Sequence, residues 1–129
     1  MPAPSAYEYT LIRAVPRVER DEFINVGVVL FCRERRFLAA RLVFDPARLA
    51  ALAPGLDLET LRAQLDHIPI ICAGGRAAGP IGELPAHERF RWLSAPRSAV
   101  IQPSEVHVGL CADPVAVLER LAASITIPF

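Results

Sequence analysis

Residues 24–32 read INVGVVLFC, seven apolar residues with one asparagine and one glycine. Two more runs of strand length flank them, Tyr7–Val15 and Phe37–Phe44, both rich in branched and aromatic residues. Only PRVERD (16–21) and RERR (33–36) separate the three runs. A crossover between parallel strands needs a dozen residues or more, so links this short force antiparallel neighbours. The chain is therefore expected to begin with a three-stranded meander, Tyr7–Val15, Glu22–Cys32 and Phe37–Phe44, with Pro16 closing the first strand.

Side-chain parity then suggests a register. Ile24, Val26, Val28, Leu30 and Cys32 share one face of the second strand, and Phe23, Asn25, Gly27, Val29 and Phe31 share the other. Leu38, Leu42 and Phe44 form the apolar face of the third strand, with Arg41 on the opposite side. Apolar against apolar sets Leu30 opposite Leu38 and Val26 opposite Leu42, which brings Gly27 opposite Arg41 with Asn25 two positions further on.

The middle of the chain switches to helical signals. Asp45-Pro46 is an N-cap followed by a first-turn proline, and that helix stops before Pro54-Gly55. Asp57 caps a second helix marked by Leu58, Leu61, Leu65 and Ile68, which Pro69 ends or kinks, with IICA able to continue it for a turn. GGRAAGPIGELP reads as a loop, and AHERFRWL as one or two helical turns. SAVIQ and VHVGL read as two more strands joined around Pro103-Ser104-Glu105. Asp113-Pro114 opens a last helix through about Ala123. Strands, helices, strands and a helix in 129 residues predict a single α+β domain spanning 1–129, an antiparallel sheet with helices packed on one face.

Charge and composition exclude several functions. The 14 basic residues balance the 14 acidic ones, so overall charge does not hold this chain on nucleic acid. Every basic residue is arginine, which removes Schiff-base chemistry and the lysine of a Walker-type phosphate loop, and leaves only planar forks suited to carboxylates and phosphates. Cys32, Cys72 and Cys111 are odd in number, lack a CxxC spacing and sit among apolar neighbours, as buried free thiols do. MPAPSAYEY has neither a basic nor an apolar targeting segment, and no run is long enough to span a bilayer, so a cytoplasmic protein free of the membrane is expected.

No catalytic signature stands out. The glycines at 74–82 form neither GxGxxG nor a phosphate loop, the histidines have no metal-ligand spacing, and no GxSxG is present. No cofactor and no metal are expected. What remains is a diffuse polar set. Arg13, Glu22, Asn25, Gly27 and Arg41 lie on the meander, and Trp92, Arg89, Arg91, Arg97, Ser98, Gln102 and His107 lie in the second half. On an open sheet face such residues need no function. Alternatively they floor a site, with guanidinium forks holding an anion and Gly27 allowing a ligand or another backbone to approach. Gly27 could equally mark a bulge, and Arg97 could merely tie down its loop.

The two blocks YEYTLIRAVPRVERDEFINVGVVLFC and RFRWLSAPRSAVIQPSEVHVGLCADPVAVLERL resemble the small bacterial proteins of domain-of-unknown-function family 3037, from about Tyr7 to Leu121. The shared pattern runs through Arg13, Pro16, Glu22, Asn25 and Gly27, then through Arg89, Trp92, Pro96, Arg97, Ser98, Gln102 and Gly109. The resemblance also implies a kinase-like protein encoded nearby, similar to the toxin kinases of persistence systems, and with it a protein partner.

The leading expectation is a non-catalytic module that recognises a protein partner or an anionic ligand through Arg13, Asn25, Gly27, Arg41, Arg97 and Gln102. A homodimer through a sheet edge or the apolar helical segment is compatible with it. The alternative is a hydrolase or phosphoryl-transfer enzyme with Glu22 or His107 as base and Arg13 and Arg97 stabilising negative charge. Nucleic-acid binding rests only on Trp92 interleaved with Arg89, Arg91 and Arg97.

Overall fold

The computed structural model describes residues 3–97 and 99–126. Among them, five antiparallel strands form one sheet: β1 (Ser5–Ala14), β2 (Ile24–Cys32), β3 (Phe37–Leu42), β4 (Ile101–Pro103) and β5 (His107–Cys111). Five helices accompany it: α1 (Pro46–Leu52), α2 (Leu58–Leu65), α3 (His67–Ala73), α4 (Ala86–Ser94) and α5 (Pro114–Ser124). The fold is α+β, as the order of signals predicts. Asp45, Asp57 and Asp113 cap α1, α2 and α5 by accepting the backbone N–H of Arg48, Thr60 and Val115. At Asp57 the Thr60 hydroxyl and N–H also hold the carboxyl below its ordinary range.

The sheet order is β3-β2-β1, and β4 and β5 both pair with β1 along its remaining side. The two C-terminal strands thus form one interrupted edge, split at Ser104. There the Ser104 side chain stands in for the ladder: its hydroxyl accepts the Leu11 N–H at 2.8 Å, while its own N–H donates to Leu11 O at 2.7 Å. Thr10, fully buried, donates to Ser104 O at 2.8 Å. Pro103 is tolerated because its strand lies on the edge.

Helices cover both faces, which corrects the expectation of a single covered face. Helices α1–α4 pack Leu49, Leu61, Leu65, Ile68, Phe90 and Leu93 against Ile12, Val29 and Phe31. Helix α5 packs Leu118 against Tyr7, Val28, Leu30 and Cys32 on the opposite face. With two apolar covers, β2 is apolar on both faces and its parity no longer selects a register. The observed pairs are Gly27–Leu42, Val28–Arg41, Leu30–Ala39 and Phe31–Leu38, one residue away from the predicted pairing. Leu38, Ala40 and Leu42 thereby join the larger core, and Arg41 shares the α5 face with Val28.

Gly27 accordingly does not face Arg41 but Leu42. A Cβ on Gly27 would lie 3.1 Å from Leu42 Cδ2 and 3.2 Å from the Arg41 carbonyl oxygen, so the missing side chain lets β3 close onto β2. A bulge follows immediately: Ile12 pairs with Gly27 but Arg13 pairs with Asn25, leaving Val26 as the extra residue. The bulge turns Val26 into the larger core and sends Asn25 to the α5 face, separating Asn25 from Gly27.

Pro69 neither ends nor kinks its helix. The break falls at Asp66, and Pro69 sits in the first turn of α3, where its missing N–H removes no helical bond. No helix among the described residues is long and apolar enough to cross a membrane.

Candidate functional site

Four of the polar residues singled out in the sequence share the α5 face. Arg13 on β1 lies directly between Asn25 on β2 and Gln102 on β4, and Arg41 on β3 is paired with Val28 on the same face. Their environments differ. Arg41 reaches Glu119 of α5 at 3.5 Å with both side chains more than half exposed, a pair worth at most about 1 kcal/mol. Gln102 donates to Ala99 O at 2.8 Å. Arg13 has no carboxylate partner among the described residues. Its guanidinium instead lies 4.2 Å over the ring of Phe23, a residue 42% exposed.

Within this group two buried polar atoms lack partners, Arg13 Nε and Asn25 Oδ1. One is a donor and the other an acceptor, held on neighbouring strands by a cross-strand pair. A buried polar atom left unmatched costs about 1–3 kcal/mol, so the two, on paired residues of β1 and β2, mark a locally unsatisfied polar spot beneath exposed Phe23. Phe23 was not among the sequence candidates. Its alternation with Asn25 already placed both on one face of β2, and that was the available signal.

The other candidates lie elsewhere. Gly27 faces the larger core. Arg97 stands at the α4–β4 connection, where its side chain donates to Trp92 O at 2.5 Å and Ala95 O at 3.3 Å and stacks over Trp92 at 4.9 Å. It lines a cleft of about 540 Å³ with Ile12, His67 and Ile101, which opens on the face opposite Arg13. Arg97 is therefore a loop anchor, and Ser98 beside it lies outside the described residues. Trp92 is 41% exposed and stacked, not a core residue. Arg89 turns away from it to cap α3, donating to Ile71 O and Cys72 O at 2.9 and 2.6 Å, so the aromatic–arginine interleaving of the sequence is divided between two clefts.

Glu22 and His107 do not meet either. Glu22 pairs with Arg20 at 2.5 Å and lines a cleft of about 450 Å³ against the α1–α2 turn. The His107 ring lies tilted against Tyr9, centroids 5.1 Å apart, opposite it on β1. From Tyr9 to Ala14, the end near Glu22, is roughly 16 Å of strand.

Two of the three thiols are pushed further from ionisation by their surroundings. All three cysteines are free and buried. Burial pushes Cys72 up to about 12 from an ordinary 9.0, against a smaller opposing pull from Arg89. Burial and the neighbouring Cys32 thiol push Cys111 upward as well. The folded chain thus keeps Cys72 neutral where the unfolded chain ionises it. Stability is then fully present below pH 9.0 and falls as pH rises between 9.0 and about 12. Urea unfolding at about pH 10 should show a loss of roughly 1 kcal/mol that a Cys72→Ala variant lacks.

No group of three His, Cys, Asp or Glu side chains is placed to hold a metal ion among the described residues. A family model described as "Protein of unknown function (DUF3037)" matches residues 9–125. No curated protein and no solved structure matches the chain.

Proposed function

The chain belongs to domain-of-unknown-function family 3037, a premise that carries no activity, and we propose that it works as a non-catalytic binding module. Its ligand is an acidic segment of a partner protein, received on the α5 face around Arg13. One observation carries this reading: Arg13, stacked on exposed Phe23, has no carboxylate partner among the described residues. A carboxylate from an acidic segment supplies the counter-charge that the Arg13 guanidinium lacks. Exposed Phe23 adds the apolar surface that anchors protein partners. Stacking on Phe23 holds the guanidinium in place before binding, so little side-chain freedom is lost when a carboxylate arrives.

The family resemblance suggests the kinase-like protein encoded nearby as this partner, and the setting as the bacterial cytoplasm. The enzymatic alternative finds no support, since Glu22 and His107 occupy different places and neither has a second catalytic group beside it.

Mixing the chain with that kinase-like protein and measuring molar mass by light scattering tests the proposal. A hetero-complex is expected, and Arg13→Ala should weaken it at least about tenfold, with Asn25→Ala weaker in effect. Arg13→Lys should fail to restore it, because lysine offers neither the two-donor fork nor the flat stack on Phe23. Unchanged affinity in Arg13→Ala would remove the α5 face from consideration.

A further inference from the structure

At the other end of the sheet, and on the face covered by α1–α4, lies a cleft of about 510 Å³ that the proposed function does not use. Three guanidinium groups line it: Arg33 and Arg36 from the β2–β3 turn and Arg89 from α4. No carboxylate is among its lining residues. Arg89 is fixed by three backbone carbonyls, those of Ile71, Cys72 and Leu84, so its charge is already in position before anything binds. Arg33 and Arg36 make no ion pair among the described residues. Arg35, between them in sequence, is by contrast tied back to Ser5 Oγ and Ala3 O. The turn thus spends one arginine on structure and presents two to the cleft.

The backbone of the turn points the same way. Arg36 has φ 52°, the left-handed region that glycine and asparagine occupy readily and arginine does not. Glycine would close the same turn with less strain. The turn, like the one at Asp21, thus places a non-glycine residue in the left-handed region, and here that residue is a long cation lining a cleft with two others. Beside the cations, Phe31 and Leu38 supply an apolar wall, and the volume falls in the range of small-molecule sites.

We propose that this cleft binds a small organic phosphate monoester, with the phosphate on the forks of Arg33 and Arg36, Arg89 adding its fixed positive charge to the cleft wall, and the organic part against Phe31 and Leu38. Arginine forks match phosphate oxygens in pairs, and three positive charges exceed what a single carboxylate needs. The site is independent of the Arg13 face.

The test is an NMR and calorimetric titration of the full chain with phenyl phosphate and, separately, with inorganic phosphate. Saturable binding of phenyl phosphate at or below about 10 mM is expected, tighter than that of inorganic phosphate. Arg33→Gln and Arg36→Gly should each weaken it about tenfold or more. Arg36→Gly should at the same time melt a few degrees higher than the parent chain, which separates lost binding from lost folding. Arg13→Ala should bind phenyl phosphate as the parent does. Equal affinity for the two phosphates would overturn the organic ligand. Absence of saturation, unchanged binding in Arg36→Gly, or loss in Arg13→Ala would overturn the site.

Discussion

Truncating Leu30 to alanine is expected to cost about 2–5 kcal/mol, read as a lower urea midpoint at an unchanged slope. Leu30 is fully buried in the core between the sheet and α5, among Tyr7, Val28, Cys32, Cys111 and Leu118. That core is the smaller of the two, and α5 is the helix that closes it. The cost therefore has two parts, the lost transfer of the side chain from water and the cavity that remains if α5 does not settle inward. A value near the lower limit would show that α5 follows the truncated side chain. A value near the upper limit would show that its capped first turn at Asp113 and the β5–α5 connection hold it in place. A cost below about 1 kcal/mol would contradict the packing of α5 on this face.

The second large effect is expected at Gly109, whose β-strand position opposite Tyr7 leaves no room for a side chain. A Cβ there would come within 2.5–2.7 Å of three atoms of the Tyr7 side chain. Tyr7 is itself only 7% exposed, so its ring covers the glycine and closes the edge of the α5-side core. Gly109→Val should cost about 3 kcal/mol, the upper part of the range for overpacking, because the ring must leave its place before valine fits. The collision also predicts coupling. Tyr7→Ala should be markedly less damaging in the Gly109→Val background than alone, a non-additivity that a double-mutant cycle in urea would measure. Strict additivity would mean that the ring does not lie over Gly109.

These two residues also mark how far the sequence could be read. The antiparallel meander followed from the lengths of its links, and the caps at Asp45, Asp57 and Asp113 followed from local hydrogen-bond chemistry, so the α+β class was legible. Register was not, because β2 presents apolar residues to both faces and only tertiary cover distinguishes them. The bulge was half legible: Gly27 offered it as one reading, but its placement at Val26 depends on how β1 must match β2, not on any residue type. The α5 face was partly legible. Arg13, Asn25, Arg41 and Gln102 were recognised as polar residues within strands and do share a face, but Gly27 and Arg97 do not belong to it. Gly27 serves strand approach, and Arg97 serves its own loop through carbonyls that only the folded α4 terminus presents. The left-handed backbone of Arg36 leaves no trace in the residue types, which is why the hairpin arginines read as an ordinary charged turn.

The sheet divides the interior into two cores that share no buried side chain. That partition has an evolutionary consequence. Substitutions beneath α5 and substitutions beneath α1–α4 should accumulate with little mutual penalty, since neither set of side chains must be retuned for the other. Each face is then free to drift or to acquire a new binding preference while its counterpart stays as it is. A fold of this size can in that way evolve as two half-proteins sharing one backbone.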